Sequence, residues 1–308
     1  MSFTPVSARA LLEDFKKQPL PKGTLLPFTG AEGFDVYNPS VPFSFMGRTV
    51  IAARVQRRDG CASEARLFAR QPDGSFALMP DAPRFIGMED PFVTVVAGKT
   101  LLGGTEAEWT DSGGLIGYRA AFYRLNGLGA PELLFRGPER MKDIRLTELP
   151  DGRIAVFTRP QGEAMRPYRR TAAIGMFLSN SLLEITAEKI ATAPLFQWHF
   201  LPDEWGGVNA LYPLPDGKIG AVGHIARGEG GTLHYYSTAQ VIDPERRTMS
   251  PLRVIACRDC WPDAPAREPR LRDVCFTAGL IRRTDGTADL YTGLSDAACG
   301  VMRMPDPF

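Results

Sequence analysis

The chain has 308 residues, of which 44% are hydrophobic and 23% charged, and its net charge is +1. This is the composition of a globular protein able to bury a sizeable core, and its near-neutral balance argues against nucleic acid or an acidic membrane as partner while allowing a local basic pocket. No apolar run has the length of a membrane span or a signal segment, so an intracellular, cytoplasmic protein is expected. Five cysteines, an odd number in a chain of this size, argue against a secreted disulfide framework. Cys257-Arg-Asp-Cys260 has no second C-x-x-C and no histidine at ligand spacing, which leaves reduced thiols as its reading.

Ser7 to Gln18 reads as a short helix. Ser7 is the N-cap, Leu11, Leu12 and Phe15 share a face, and Pro19 follows the end. From Gly23 onward the sequence reads as strands and turns, helped by 31 glycines and 26 prolines. Five stretches then look alike, led by Asn38, Asp90, Asp143, Asn209 and Asp273 at spacings of 52, 53, 66 and 64 residues. Each lead residue enters a short strand, a turn and a second apolar strand. Three of the turns are Asp-Gly (Asp151-Gly152, Asp216-Gly217 and Asp285-Gly286), a strong hairpin signal. A strand repeat of this length is that of propeller blades, whose first strands line a central axis. The expected fold is all-β: one five-bladed β-propeller domain over residues 1–308, with residues 1–30 an extension carrying the short helix. The five lead residues would then converge on one end of the axis, although Asp or Asn at a strand start also commonly caps a turn.

Glu89-Asp90-Pro91 stands out among the repeats. Pro91 restricts the residue before it, so Asp90 is expected in an extended conformation at the mouth of a buried strand. Arg54, Arg159 and His224 close second strands where a buried inner sheet would normally be apolar, and Lys142 and Arg145 flank Asp143. Three basic groups beside a carboxylate suit an oxyanion or a phosphate. Neither nucleotide-binding glycine motif is present, nor G-x-S-x-G, H-E-x-x-H or any Asp-x-Asp, so neither a metal nor a cofactor is expected. What remains is chemistry on a sugar with an anion involved.

Gly87-Met-Glu-Asp-Pro91 resembles the Glu-Asp-Pro signature of the β-mannoside phosphorylases of glycoside hydrolase family 130, which are five-bladed propellers. Nearly the whole chain is more similar to a related family, the dual-activity β-1,2-mannosyltransferase/phosphorylases of mannogen metabolism. The matching stretches include Asp35–Ser40, Met141–Arg145, Phe157–Gly162, Glu204–Gly207, His234–Tyr236 and Tyr291–Asp296. The resemblance implies an inverting enzyme with Asp90 as general acid/base and phosphate held by Lys142, Arg145, Arg159, His224 and Tyr235. Sugar contacts are expected from Asp35, Asn38, Arg54, Glu89, Asp143, Glu204, Trp205, Asn209, Asp273 and Tyr291. The implied partners are β-1,2-mannose oligosaccharides, mannose, phosphate, mannose 1-phosphate and GDP-mannose. Phe92 stands where many of the classical phosphorylases have arginine.

A phosphorylase needs one carboxylic acid and a basic pocket, because phosphate is already an anionic nucleophile. An inverting β-mannoside hydrolase would need a second carboxylate as base, here Asp143 or Glu204. A non-catalytic sugar-binding propeller is the third reading.

Overall fold

The structure, a computed structural model, describes residues 4–196 and 198–308. Its strands form antiparallel meanders, each begun by a strand that carries or adjoins a lead residue. The first comprises Asp35–Tyr37, Arg48–Gln56, Ser63–Arg70 and Phe76–Leu78. The second comprises Met88–Val96, Lys99–Trp109, Leu115–Arg124 and Glu132–Arg136, and the third Arg145–Glu148, Ile154–Thr158 and Gly175–Ser179. The fourth runs Trp205–Pro213, Ile219–Glu229 and Thr232–Asp243, with Arg253–Ala256 at its edge. The fifth runs Asp273–Arg282, Thr287–Leu294 and Ala298–Pro305, and Thr24–Leu25 pairs with its last strand. A short parallel pairing, His234 with Asp273 and Tyr235 with Val274, joins the fourth and fifth into one sheet.

The turns explain the hairpins. Met46-Gly47 and Ala97-Gly98 both have positive φ at their two central positions (51° and 71°; 51° and 68°), the twist that matches paired strands. In the Asp-Gly turns the aspartate oxygen accepts from the backbone N–H two residues on, at 3.0 Å for Arg153, 3.2 Å for Lys218 and 3.0 Å for Thr287.

The second strand of the first meander is buried on both faces, as its apolar run Val50–Ala53 requires: Val50 to Gln56 are all buried. Each large side chain so buried contributes roughly 1.5–3 kcal/mol. Neighbouring meanders are tied near their first strands. Asn38 Nδ2 donates to Asp90 Oδ1 (2.7 Å), Thr94 Oγ1 to the Leu146 carbonyl (3.0 Å), Arg145 Nε to the Asn209 carbonyl (2.7 Å) and Tyr212 Oη to the Leu280 carbonyl (3.1 Å). The fifth meander returns to the first through Cys299 Sγ, 3.5 Å from the Val36 carbonyl.

The N-terminal helix spans Ala8–Phe15, and Ser7 caps it by accepting from the Ala10 N–H. Leu11, Leu12 and Phe15 pack on the core of the fourth and fifth meanders. A second short helix, Ala187–Ala191, and 3₁₀ turns such as Gly162–Tyr168 lie in a region that the sequence reads as strands and turns. The C-x-x-C thiols are free and buried, as is Cys275.

Candidate active site

Asp90 is not extended. Its φ is +50°, and Asn38 (+45°) and Asp143 (+58°) share this left-handed conformation. Pro91 disfavours the right-handed helical region for Asp90 but does not exclude this one, which aspartate and asparagine tolerate best among residues with a Cβ. The cause is a β-bulge. Glu89 pairs with Thr105 and Phe92 with Gly103, so Asp90 and Pro91 together oppose Gly104 alone. A bulge re-aims side chains. A second register shift falls at Asn209, between Val208 and Ala210.

Asp90 faces a cavity of about 330 Å³ whose wall includes Asn38, Arg54, Glu89, Lys142, Tyr235 and Asp296. Arg54 spans both carboxylates, with one nitrogen 2.8 Å from Glu89 Oε1 and the other 3.4 Å from Asp90 Oδ1. Gly293 lets Asn38 approach this closely, because a Cβ there would sit 1.7 Å from Asn38 Oδ1. That oxygen is buried and unpartnered, as is Arg54 Nε. Burial raises the Glu89 carboxyl, against Arg54, and the neighbouring Asp90 charge adds to the rise.

Asp296 was missed by sequence reasoning as a site residue. Burial, with the charge of Asp90 adding to it, pushes its carboxyl up to about 6. It sits in a turn at φ +50°, after Ser295 at +54°. The Ser295 N–H donates to the Val274 carbonyl (2.9 Å), and its own carbonyl accepts from the Arg267 N–H (3.0 Å). The only sequence signal was its place at the end of a stretch matched to the family. Trp109, Gln56, Arg267 and Arg270 also line the cavity and carried no signal.

Behind this wall lies a buried basic network. Arg159 NH2 is 2.7 Å from Asp143 Oδ2, and Arg145 is 3.7 Å from Asp143 Oδ1. Burial alone would raise the Asp143 carboxyl, but Arg159 and Arg145 outweigh it and hold it well below the usual range. Burial would lower the Lys142 ammonium, yet Asp90 and Asp143 raise it, and among the described residues no carboxylate lies within ion-pairing distance of it. Gly207 makes room for Arg159, since a Cβ there would sit 3.0 Å from Arg159 Cδ. Arg159 Nε and Asn209 Nδ2 are buried without partners.

His224 Nδ1 lies 2.7 Å from Asn209 Oδ1. The amide oxygen can only accept, so Nδ1 carries the proton and Nε2 is an acceptor. Burial lowers the imidazole to about 3, so His224 is neutral at pH 7 and is not one of the cations. Its ring stacks 5.5 Å from Tyr235, whose hydroxyl accepts from Trp205 Nε1 at 2.9 Å.

Several expected contacts are engaged elsewhere. Glu204 accepts from the backbone N–H of Ala8 (2.8 Å) and Leu201 (3.5 Å), so it anchors the N-terminal helix and is no candidate base. Asp35 is held by the fork of Arg58, with Arg267 3.5 Å away. Asp273 accepts from Tyr236 Oη (3.2 Å) and sits 2.6 Å from His234 Nδ1. Tyr291 packs against the core of the first meander. Arg145 stacks 3.8 Å from the centroid of Phe92 and lies on a separate, largely apolar cavity with Asn209. Trp205 does not line the cavity but donates to Tyr235, which does.

Among the described residues there is no cluster of histidine, cysteine or carboxylate side chains able to hold a metal ion, and no helix is long and apolar enough to cross a membrane.

The profile of the family described as "Protein of unknown function (DUF1861)" matches residues 13–308. No curated protein matches the chain. Among solved structures, the mannose phosphorylase MPT-4 from Leishmania mexicana, in complex with phosphate ion, is 34% identical with a TM-score of 0.89, over 97% of this chain and 93% of that one. The GDP-Man-dependent mannosyltransferase MPT-1 from the same organism is 31% identical with a TM-score of 0.87, over 98% and 95%. A β-1,2-mannobiose phosphorylase from Listeria innocua is 14% identical with a TM-score of 0.62, over 89% and 91%, a likeness of fold alone.

Proposed function

Because the chain belongs to the DUF1861 family, and to that of the Leishmania mannose phosphorylase and mannosyltransferase, we propose that it is an inverting β-1,2-mannoside phosphorylase and mannosyltransferase. In this reading the five meanders are the blades of one propeller domain, and the cavity at Asp90 is the end of its axis. The observation that carries the proposal is the division of charge. Carboxyls line the cavity at Asp90, Glu89 and Asp296, and Lys142 stands between them and the buried Arg159 network.

In phosphorolysis Asp90 donates a proton to the glycosidic oxygen as the bond to the anomeric carbon breaks. Phosphate held by Lys142, Arg159 and Tyr235 attacks that carbon from the opposite face. The neutral His224 accepts a phosphate O–H through Nε2 rather than adding charge. Mannose 1-phosphate leaves with inverted configuration. In synthesis the proton returns to Asp90 from the acceptor hydroxyl, directly or through a sugar hydroxyl. Mannose 1-phosphate is the donor, and GDP-mannose serves when the same basic network takes its diphosphate. Asn38, Arg54, Glu89 and Asp296 hold sugar hydroxyls, while Asp143 and Arg145 position the cations.

Asp296 favours a second reading. A carboxyl near 6 facing the cavity could activate water in an inverting hydrolase. Incubation with β-1,2-mannobiose, with and without inorganic phosphate, separates the two. Mannose 1-phosphate formed only with phosphate supports the phosphorylase; free mannose released without it supports the hydrolase.

A further inference from the structure

Two residues outside the expected site set stand at the end of the Arg159 network: Gln161, within the matched stretch Phe157–Gly162, and Tyr118. Arg159 NH1 donates to Gln161 Oε1 (2.5 Å), and Gln161 Nε2 donates to Tyr118 Oη (2.6 Å). The chain of donors has one direction. Arginine has only donors, so it fixes the Gln161 amide with its oxygen towards Arg159 and its NH₂ towards Tyr118. Tyr118 Oη is thereby an acceptor, and its own O–H, on a half-buried side chain, is free to donate to solvent or to a ligand. Among the described residues it has no acceptor.

The same logic holds at Tyr235, whose oxygen is filled by the donor-only Trp205 indole. Arg159 itself has its outer nitrogens on Asp143 and Gln161, while its Nε–H is buried and unpartnered. The backbone supports this arm: Gln161 lies two residues after Arg159 and is bridged to Ala172, while Tyr118 belongs to the neighbouring meander.

We propose that Tyr118 is an anion-binding residue of this site, donating its hydroxyl proton to the phosphate or phosphoryl group held at Arg159, and that Gln161 is the positioning residue that aims both. This rests on the phosphorylase reading and extends it to residues outside the expected set. The anion thus meets donors fixed from two meanders, which selects for an oxyanion over water or a neutral hydroxyl.

The test uses inorganic phosphate as probe, with binding followed by calorimetry and turnover by phosphate KM and kcat. Tyr118→Phe removes the hydroxyl alone. A hydrogen bond to a charged group changes affinity on the order of ten- to a hundredfold. Phosphate affinity should fall at least about tenfold and phosphate KM should rise in step, with the melting temperature and the sugar KM unchanged. Gln161→Glu places a carboxylate that accepts from both neighbours and turns the Tyr118 proton inward. In that background Tyr118→Phe should cost no further phosphate affinity, a non-additivity that a merely structural tie would not give. Unchanged phosphate affinity in Tyr118→Phe, with phosphate binding intact in the wild type, overturns this inference alone. Absence of phosphate binding in the wild type overturns it together with the phosphorylase reading.

Discussion

Asp296→Asn is the substitution whose sign is least intuitive. Asp296 is a cavity carboxyl pushed up from 3.8 to about 6, first by burial and then by Asp90. Below pH ~3 it is protonated in both the folded and the unfolded chain and contributes nothing to pH dependence. As pH rises, the unfolded chain ionises first, so the folded state loses stability until Asp296 ionises too, near pH 6. At about 1.36 kcal/mol per unit the full loss is about 3 kcal/mol. The side chain is partly open to the cavity, and solvent screening reduces this to about 1–2 kcal/mol. Asparagine keeps the shape and has no charge to bury. Urea denaturation should therefore find Asp296→Asn more stable than the wild type by about 1–2 kcal/mol at pH 8, and equal to it at pH 3. Activity should fall at the same time, a trade expected of a charge kept for function rather than for folding. Equal stability at both pH values, or a variant destabilised at pH 8, would refute the account of this carboxyl.

Two further substitutions test the remaining roles. Asp90→Asn keeps size and the contact with Asn38 but cannot move a proton, so phosphorolysis and transfer from mannose 1-phosphate should both fall by roughly 10²–10⁴-fold with folding retained; near-wild-type rates would move the acid/base role elsewhere. Arg159→Lys keeps the charge but loses the fork shared between Asp143 and Gln161, so apparent phosphate KM should rise and thermal stability should drop by about 1–2 kcal/mol; an unchanged phosphate KM would make Arg159 a structural tie only.

The parts of the fold that local chemistry decides were legible in the sequence. Ser7 caps its helix, and each Asp-Gly pair makes a turn through its own side chain, because a few neighbouring residues suffice to determine these features. Of the five lead residues, Asn38 and Asp90 line the cavity and Asp143, Asn209 and Asp273 do not, while Arg54, Glu89, Lys142 and Tyr235 line it as well. The conformation of Asp90 did not follow, because the bulge arises from pairing with a strand more than ten residues away, which the Asp-Pro dipeptide does not encode. Glu204 and Asp35 look like site residues by position, yet their partners, Ala8 and Arg58, come from distant or unpatterned segments. Asp296, and the Tyr118 and Gln161 of the proposed arm, illustrate the converse. Each is an ordinary turn or strand residue until the meanders bring Asp296 near Asp90, Gln161 onto Arg159 and Tyr118 onto Gln161.

The most direct measurement is ³¹P NMR of the enzyme incubated with β-1,2-mannobiose and inorganic phosphate, with Asp90→Asn and a phosphate-free reaction in parallel. An inverting phosphorylase converts the phosphate signal into that of α-mannose 1-phosphate, releases no sugar in the phosphate-free tube, and shows almost no conversion in the Asp90→Asn tube. Mannose released at the same rate without phosphate, or a β-configured mannose 1-phosphate, would contradict the account.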